Sequence, residues 1–339
     1  MKARTFSDVS IIPKYSNLQT RGDADLTTRL GKYEFSLPII SANMPAVTET
    51  DMAEAMSING ALGILHRFNE IKENVDKYKD LNLLVPHCNI GVSIGVGEES
   101  KKRFDQLYTL GARIFCVDVA HGHHEKVKQM LHWINRSVLQ WDRSERGNVV
   151  IIAGNIATGV ALDDLAEWGA DVVKVGIGPG SACTTRLDTG VGVPQLYAIE
   201  SVVERNDMLK SPVQIIADGG CKCVGDIAKA LAAGADAVML GSMLAGTDES
   251  PGEYINVNGE KMKVYYGSAS FKNKQIKKHI EGRDFLVKKK GSVESILNKI
   301  EDGLKSSFSY VGASSLKEFQ DNTEFLEITE GGKRESKYE

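Results

Sequence analysis

Apolar, β-branched runs recur along the 339-residue chain at fairly even intervals: PIISAN (38–43), ALGIL (61–65), NIGVSI (89–94), RIFCVDV (113–119), VVIIAG (149–154), VVKVGI (172–177), VQIIAD (213–218) and AVMLGS (237–242). Between them, apolar residues return every three to four positions in DMAEAMSI, SKKRFDQLYTL, HEKVKQMLHWI, ALDDLAEW and VGDIAKALAA, the period of a helix with one buried face. Several of these stretches close on Gly-Ala or Asn-Gly, which are helix stop signals. Near-continuous apolar strands alternating with helices predict a parallel sheet covered on both sides, and eight such units are the number that closes a (β/α)8 barrel. An open doubly wound sheet is the alternative. The barrel is favoured because the motifs ANM, HRF, DVAHGH, AGN, GIGPGSACTT, DGG and LGSMLAG all follow strands, and a barrel gathers those ends on one face.

Two segments break the rhythm. Residues 67–88 leave room for one helix and a connection after the second strand, but not for an inserted domain. Residues 248–291, after the eighth strand, are long, polar and basic near their end, a composition suited to a hairpin and mobile flap. The expectation is one barrel domain over 1–339 with that flap and a frayed tail from 323 onward.

Composition narrows the classes. With 42% hydrophobic and 25% charged residues the chain reads as a soluble globular protein, and a net charge of −4 argues against a general binder of nucleic acid or anionic membrane. No apolar run reaches the length of a transmembrane helix and the first residues lack a secretory apolar core, so a cytoplasmic location is expected. Five scattered cysteines do not form a disulfide framework.

The stretch GIGPGSACTTR (176–186) falls just after the sixth strand, on the functional rim. Its glycines permit backbone conformations closed to other residues and free successive N–H and C=O groups to cradle an ion. Cys183 within it reads either as a nucleophile or as an inert turn residue, and the motif alone does not decide. DGG (218–220) and LGSMLAG (240–246) follow strands seven and eight, where many barrels bind phosphate through backbone N–H groups. Asp218 suits a sugar hydroxyl rather than the phosphate itself. In DVAHGHH the pair His121 and His123 lacks a third metal ligand, so a loop contacting ligand is the better reading. The basic run 272–290 reads as a solvated face, except that Glu281, an interior acid directly ahead of Gly282, leaves the functional rim with the flap and is placed to fold over a ligand.

Taken together, VGIGPGSACTTR, IIADGG, VMLGSMLAG and YYGSAS, in an order running from TFSDVSIIP near the start to SSFSYVGASSL near the end, resemble the IMP dehydrogenase and GMP reductase family over nearly the whole chain. That resemblance implies a (β/α)8 barrel and a purine nucleotide attached covalently to Cys183 during turnover. Dehydrogenases of the family activate water with an Arg-Tyr pair in the flap and mostly carry a regulatory insertion after the second strand. Residues 267–282 hold neither arginine nor tyrosine, and the insertion is missing. GKYEFSLPIISANM, LHRF and YYGSASFKNKQIKKHIEGRDFLVKKKGS look instead like the reductase branch, which deaminates GMP to IMP and ammonia with NADPH. An IMP dehydrogenase lacking the insertion, an XMP-preferring reductase and a catalytically silent phosphate-binding barrel are the alternatives.

By the same resemblance Cys183 is the nucleophile, with Thr185 and Glu281 as a proton-transfer pair. Ser181, Asp218, Gly219, Gly220, Gly241, Ser242, Gly267, Ser268 and Gly282 are implied to line the nucleotide. Thr20, Arg21, Arg67, Asp118, Val119, Ala120, Ser306 and Ser307 are candidates for NADPH, some contributed by a neighbouring subunit, because members of the family are homotetramers. The carbonyls of Gly178, Gly180 and Cys183 with Arg186 are the implied site for a monovalent cation, K+. Pro45 and Arg67 depart from family positions where aspartate and lysine are frequent.

Overall fold

The computed structural model describes residues 3–85, 89–141, 145–268, 270 and 281–335. Cys88, residues 271–280 of the expected flap and the last four residues of the tail lie outside the described residues. Eight parallel strands of the described residues close into a barrel: β1 Ile39–Ser41, β2 Leu62–Leu65, β3 Ile90–Ile94, β4 Ile114–Asp118, β5 Val150–Ile156, β6 Val172–Val175, β7 Gln214–Asp218 and β8 Ala237–Leu240. Sequential strands are neighbours, and β8 closes the ring on β1 through Leu240 and Ser41. The eight apolar runs of the sequence are these eight strands.

Helices α1 Thr50–Ile58, α2 Ile71–Leu84, α3 Glu98–Thr109, α4 Glu125–Trp141, α5 Gly159–Glu167, α6 Gln195–Asn206, α7 Val224–Ala232 and α8 Val293–Val311 surround the ring. Their period is visible in α4, where Val127, Met130, Leu131, Ile134 and Val138 are all buried. Burial of each such side chain contributes roughly 1.5–3 kcal/mol relative to exposure, and this stabilises the helix far more than its intrinsic propensity does. An aromatic cluster joins the layers: the Phe104 ring of α3 stands 4.3 Å from Phe115 of β4 and 5.6 Å from Trp133 of α4. Side-chain caps fix helix starts. Thr158 accepts from the Ala161 N–H at the head of α5, and Ser292 accepts from the Ser295 N–H at the head of α8.

One glycine shows how close α1 lies to the sheet. A Cβ at Gly63 of β2 would fall 2.5 Å from the Ala53 Cα. Because that neighbour is backbone, Gly63→Ala is expected to destabilise the fold by about 1–3 kcal/mol, read as a lower urea midpoint.

The hairpin Thr28–Leu30 with Tyr33–Phe35 sits at the opposite mouth of the barrel, where Thr28 Oγ1 donates to the Asp236 carbonyl at 2.7 Å. Past β8, Ile255–Val257, Glu260–Tyr266 and Asp284–Lys288 form a three-stranded antiparallel sheet. Its first turn is Asn258-Gly259, with φ of 53° and 85°, the pair favoured in two-residue hairpins. Lys263 anchors this sheet to the barrel by donating to the carbonyls of Thr247 at 2.9 Å, Asp248 at 3.2 Å and Ser250.

The tail departs from the frayed end expected from 323. Phe325–Glu327 pairs antiparallel with Val9–Ile11, and Lys333 Nζ lies 2.6 Å from Asp8 Oδ1. The hydrogen bonds from Lys333 and from the Thr5 N–H hold the Asp8 carboxyl down at about 2. Terminal segments fray unless backbone pairing ties them down, and here the strand at 9–11 supplies that pairing.

Candidate active site

The loop after β6 is folded by its glycines. Gly176 has φ 150°, and a Cβ there would lie 2.1 Å from the Asp218 carbonyl oxygen, so the loops after β6 and β7 touch backbone to backbone. The Cys183 N–H donates to the Gly180 carbonyl at 3.0 Å, which turns the chain and sets the thiol just before a short helix, Thr185–Thr189.

The returning limb of the flap is stitched onto this loop. Cys183 and Gly282 form an isolated antiparallel bridge, the Thr184 N–H donates to the Glu281 carbonyl at 3.1 Å, and the Arg283 N–H donates to the Ala182 carbonyl at 3.0 Å. Those backbone contacts set the side-chain geometry. Cys183 Sγ lies 3.1 Å from Thr185 Oγ1, which in turn donates to Glu281 Oε2 at 2.8 Å. Thiol, hydroxyl and carboxylate form one continuous hydrogen-bonded row across residues that are 96 positions apart at its far end.

Beside this row is a cavity of about 380 Å³, walled by Cys183, Thr185, Glu281, Asp218, Gly219, Gly267 and Ser268 on one part and by Arg67, Asp118, Val119 and Ala120 on another. Gly178 and Gly180 also reach its wall. Ser181, Gly220, Gly241, Ser242 and Gly282 flank it on the adjoining loops, where Ser181 Oγ donates to Ser242 Oγ at 3.0 Å and so joins the loops after β6 and β8. A Cβ at Gly241 would fall 2.7 Å from the hydroxyl of Tyr265, a buried ring that also faces the cavity. Burial pushes the Tyr265 phenol well above its ordinary value.

The remaining expected residues are not brought here. Thr20 and Arg21 are exposed in a turn packed against α8, beside a separate surface depression of about 490 Å³ lined by Gln19, Asp23, Ser314 and Glu318. Ser306 and Ser307 bond back into their own helix, to the carbonyls of Asp302 at 2.8 Å and Gly303 at 3.0 Å. Within one chain the two sets stay apart.

Sequence reasoning missed two residues, Lys174 and Asn155, that complete the ionic floor of the cavity around Asp118, Asp218 and Arg67. Lys174, on β6, is buried with Nζ 2.8 Å from Asp218 Oδ2 and 3.3 Å from Asp118 Oδ1. Asn155 of β5 donates to Asp218 Oδ2 and to the Gly176 carbonyl, each at 2.8 Å. Arg67 Nε donates to the Asp118 carbonyl at 3.1 Å. Burial alone would raise the Asp118 carboxyl, but the Lys174 and Arg67 charges outweigh it and hold the group below its ordinary value. The Lys174 ammonium is correspondingly held above its ordinary value, because the two aspartates outweigh its desolvation. The signal was available: VVKVGI carries one lysine in an otherwise apolar strand, and a lysine inside a barrel strand requires buried counter-charges.

Two groups implied by the resemblance can be tested against these residues. The cavity wall carries the buried amide of Asn43 beside Asp118, together with the Arg67 and Asp118 charges, which suit a polar ring ligand such as a nicotinamide beside the purine. Backbone carbonyls along 178–186 are the donors that a hard monovalent cation takes; those of Gly180 and Arg186 each accept one hydrogen bond, from Cys183 and Gly190, and keep a second lone pair. Both groups fit. Among the described residues no cluster of three or more His, Cys, Asp or Glu side chains is arranged for a metal ion, and His123 is engaged with Asp164 at 2.5 Å. No helix among them is long and apolar enough to cross a membrane.

Comparison with known proteins gives the family. The model of the IMP dehydrogenase / GMP reductase domain matches residues 3–339. The chain belongs to that family. Among curated relatives it is 38% identical to GMP reductase 1 of Mus musculus over 96% of this chain and 95% of the mouse protein. It is 38% identical to a GMP reductase of Streptococcus suis over 92% and 91%, and 37% identical to GMP reductase 1 of Homo sapiens over 96% and 95%.

Proposed function

We propose that this protein is a GMP reductase, converting GMP to IMP and ammonia with NADPH through a thioimidate on Cys183, in purine nucleotide interconversion. The observation that carries the reading is the row Cys183, Thr185, Glu281 beside the cavity, at 3.1 and 2.8 Å. An ordinary thiol titrates near ~8.5 and needs a base at neutral pH. In the row, the thiol proton passes to Thr185 Oγ1 as the hydroxyl proton passes to Glu281. The sulfur adds to C2 of the purine, and the same row returns a proton to the departing amine, so that ammonia leaves and the thioimidate remains. When bound, NADPH would supply a hydride to C2; the sulfur would leave as thiolate as IMP forms and take back a proton through Thr185. Asn43, Arg67, Asp118, Val119 and Ala120 would hold its nicotinamide end, and K+ would sit on the carbonyls of Gly178, Gly180, Cys183 and Arg186.

The flap sequence supports reduction over hydrolysis. Residues 267–282 contain no arginine or tyrosine to activate water, so the intermediate waits for hydride. Asp218 accepts from a sugar hydroxyl, while the backbone N–H groups of Gly219, Gly220, Gly241 and Ser242 hold the phosphate. Ser181, Gly267, Ser268 and Gly282 frame the nucleotide. The assembly is a homotetramer in which Thr20, Arg21, Ser306 and Ser307 serve a neighbour's cofactor.

Purified protein offered GMP, XMP or IMP with each reduced or oxidised nicotinamide cofactor tests the reading. GMP with NADPH is expected to consume NADPH and release one ammonia per IMP. Turnover of IMP with NAD, or of XMP alone, would replace the proposed reaction by that one.

A further inference from the structure

The cavity floor holds a buried lysine, Lys174, to which the proposed chemistry assigns no role. Asp118 ends β4 and Asp218 ends β7, three strands further around the barrel. Lys174 on β6 reaches both with one ammonium and is almost wholly buried, its side chain 4% exposed. The titratable groups facing this point are few. Arg67 approaches Asp118 from the loop after β2, Tyr265 lies near Asp218 with its phenol held neutral by burial, and the Cys116 thiol of β4 is pushed up to about 12 and is neutral too. Two positive charges therefore meet two negative ones, and Asn155 satisfies the rest of Asp218.

We propose that Lys174 is a positioning residue: it is the shared counter-ion that fixes Asp218 for the sugar hydroxyl of the nucleotide and ties it to Asp118, so that the two carboxylates behave as one unit. The physical basis is the low local dielectric. Two half-buried carboxylates, 14% and 19% exposed, lie a few ångströms from a common buried ammonium and are each stabilised by it, and removing the ammonium leaves them repelling one another with only the Arg67 charge in reach. Asp218 is then free to turn away from its place, and that change weakens its acceptance of a hydroxyl. Arg67 cannot substitute, because it meets Asp118 through a backbone carbonyl bond at 3.1 Å and a carboxylate contact of 3.8 Å.

This inference rests on the proposed use of GMP, and its test separates the two. GMP affinity is measured without NADPH by calorimetry for the native protein, for Lys174→Met, which keeps the apolar stem and loses the charge, and for Lys174→Met with Asp118→Asn, which restores the charge balance. Lys174→Met is expected to weaken GMP binding on the order of 100-fold, and the double variant to recover to within about tenfold of native. Charge rescue is a readout that a mere packing role would not move. Native-like affinity in Lys174→Met, or a double variant as weak as the single one, would overturn the inference while leaving the proposed function standing. Absence of GMP binding by the native protein would overturn that function and this inference with it. Where Lys174→Met does not fold, the double variant decides: the inference requires it to fold and bind GMP, and its failure to do either assigns Lys174 to packing alone.

Discussion

Cys183→Ala is expected to lower GMP-dependent NADPH oxidation on the order of 10⁴-fold or more while leaving GMP affinity within a few-fold of native. The size of the loss follows from the role. A nucleophile that forms the covalent intermediate has no substitute among its neighbours, since Thr185 is engaged with Glu281 at 2.8 Å and Cys116 is buried in β4 with its thiol held neutral. Affinity should survive because the sugar and phosphate contacts assigned to Asp218, Gly219, Gly220, Gly241 and Ser242 do not involve the sulfur. Equilibrium dialysis beside the rate assay separates the two effects. A variant that retained normal turnover would remove Cys183 from the reaction and return it to the reading of an inert turn residue.

Glu281→Gln and Thr185→Val are each expected to reduce turnover by about 10²–10⁴-fold, again with GMP still bound. The two side chains form consecutive links of one row, so interrupting either breaks proton movement to and from the purine amine. The double variant should be scarcely slower than the worse single one, because groups acting as a unit are not additive. Additive losses would place the residues in separate roles. Glu281→Gln also keeps the backbone stitch between 281–283 and 182–184, so a fall in rate without a fall in stability distinguishes chemistry from flap docking.

These predictions depend on juxtapositions of differing legibility. The strands were readable because each is a short apolar run bounded by glycine or polar residues, and the rim followed because glycine-rich motifs end those runs. Thr185 lies two positions from Cys183, but its role was implied by the resemblance and not by its spacing. Glu281 stood out as an acid in a basic flap, but periodicity cannot place a residue across 96 positions, and the resemblance alone paired it with Thr185. Geometry now supplies the reason in the bridge between Cys183 and Gly282. The tail was misread because its strand Phe325–Glu327 is three residues long with two of them exposed, too brief for an alternating pattern to register. Its partner, Val9–Ile11, stands more than three hundred positions earlier. Asn258-Gly259 was an overlooked local signal, since that pair between polar strands marks a two-residue hairpin. Lys174 is hidden for a different reason: one lysine among the apolar residues of VVKVGI leaves the strand pattern intact, and its partners Asp118 and Asp218 come from other strands.

The central claim is that a purine becomes covalently attached to Cys183 and awaits hydride. Mixing the protein with GMP in the absence of NADPH, quenching in acid and mapping the peptides by mass spectrometry tests it most directly. The predicted result is a purine ribonucleotide adduct on the peptide containing Cys183, formed with release of ammonia, discharged as IMP when NADPH is added before the quench, and absent from Cys183→Ala. Turnover of GMP with no adduct on that peptide, or with an adduct on another cysteine, would contradict the account.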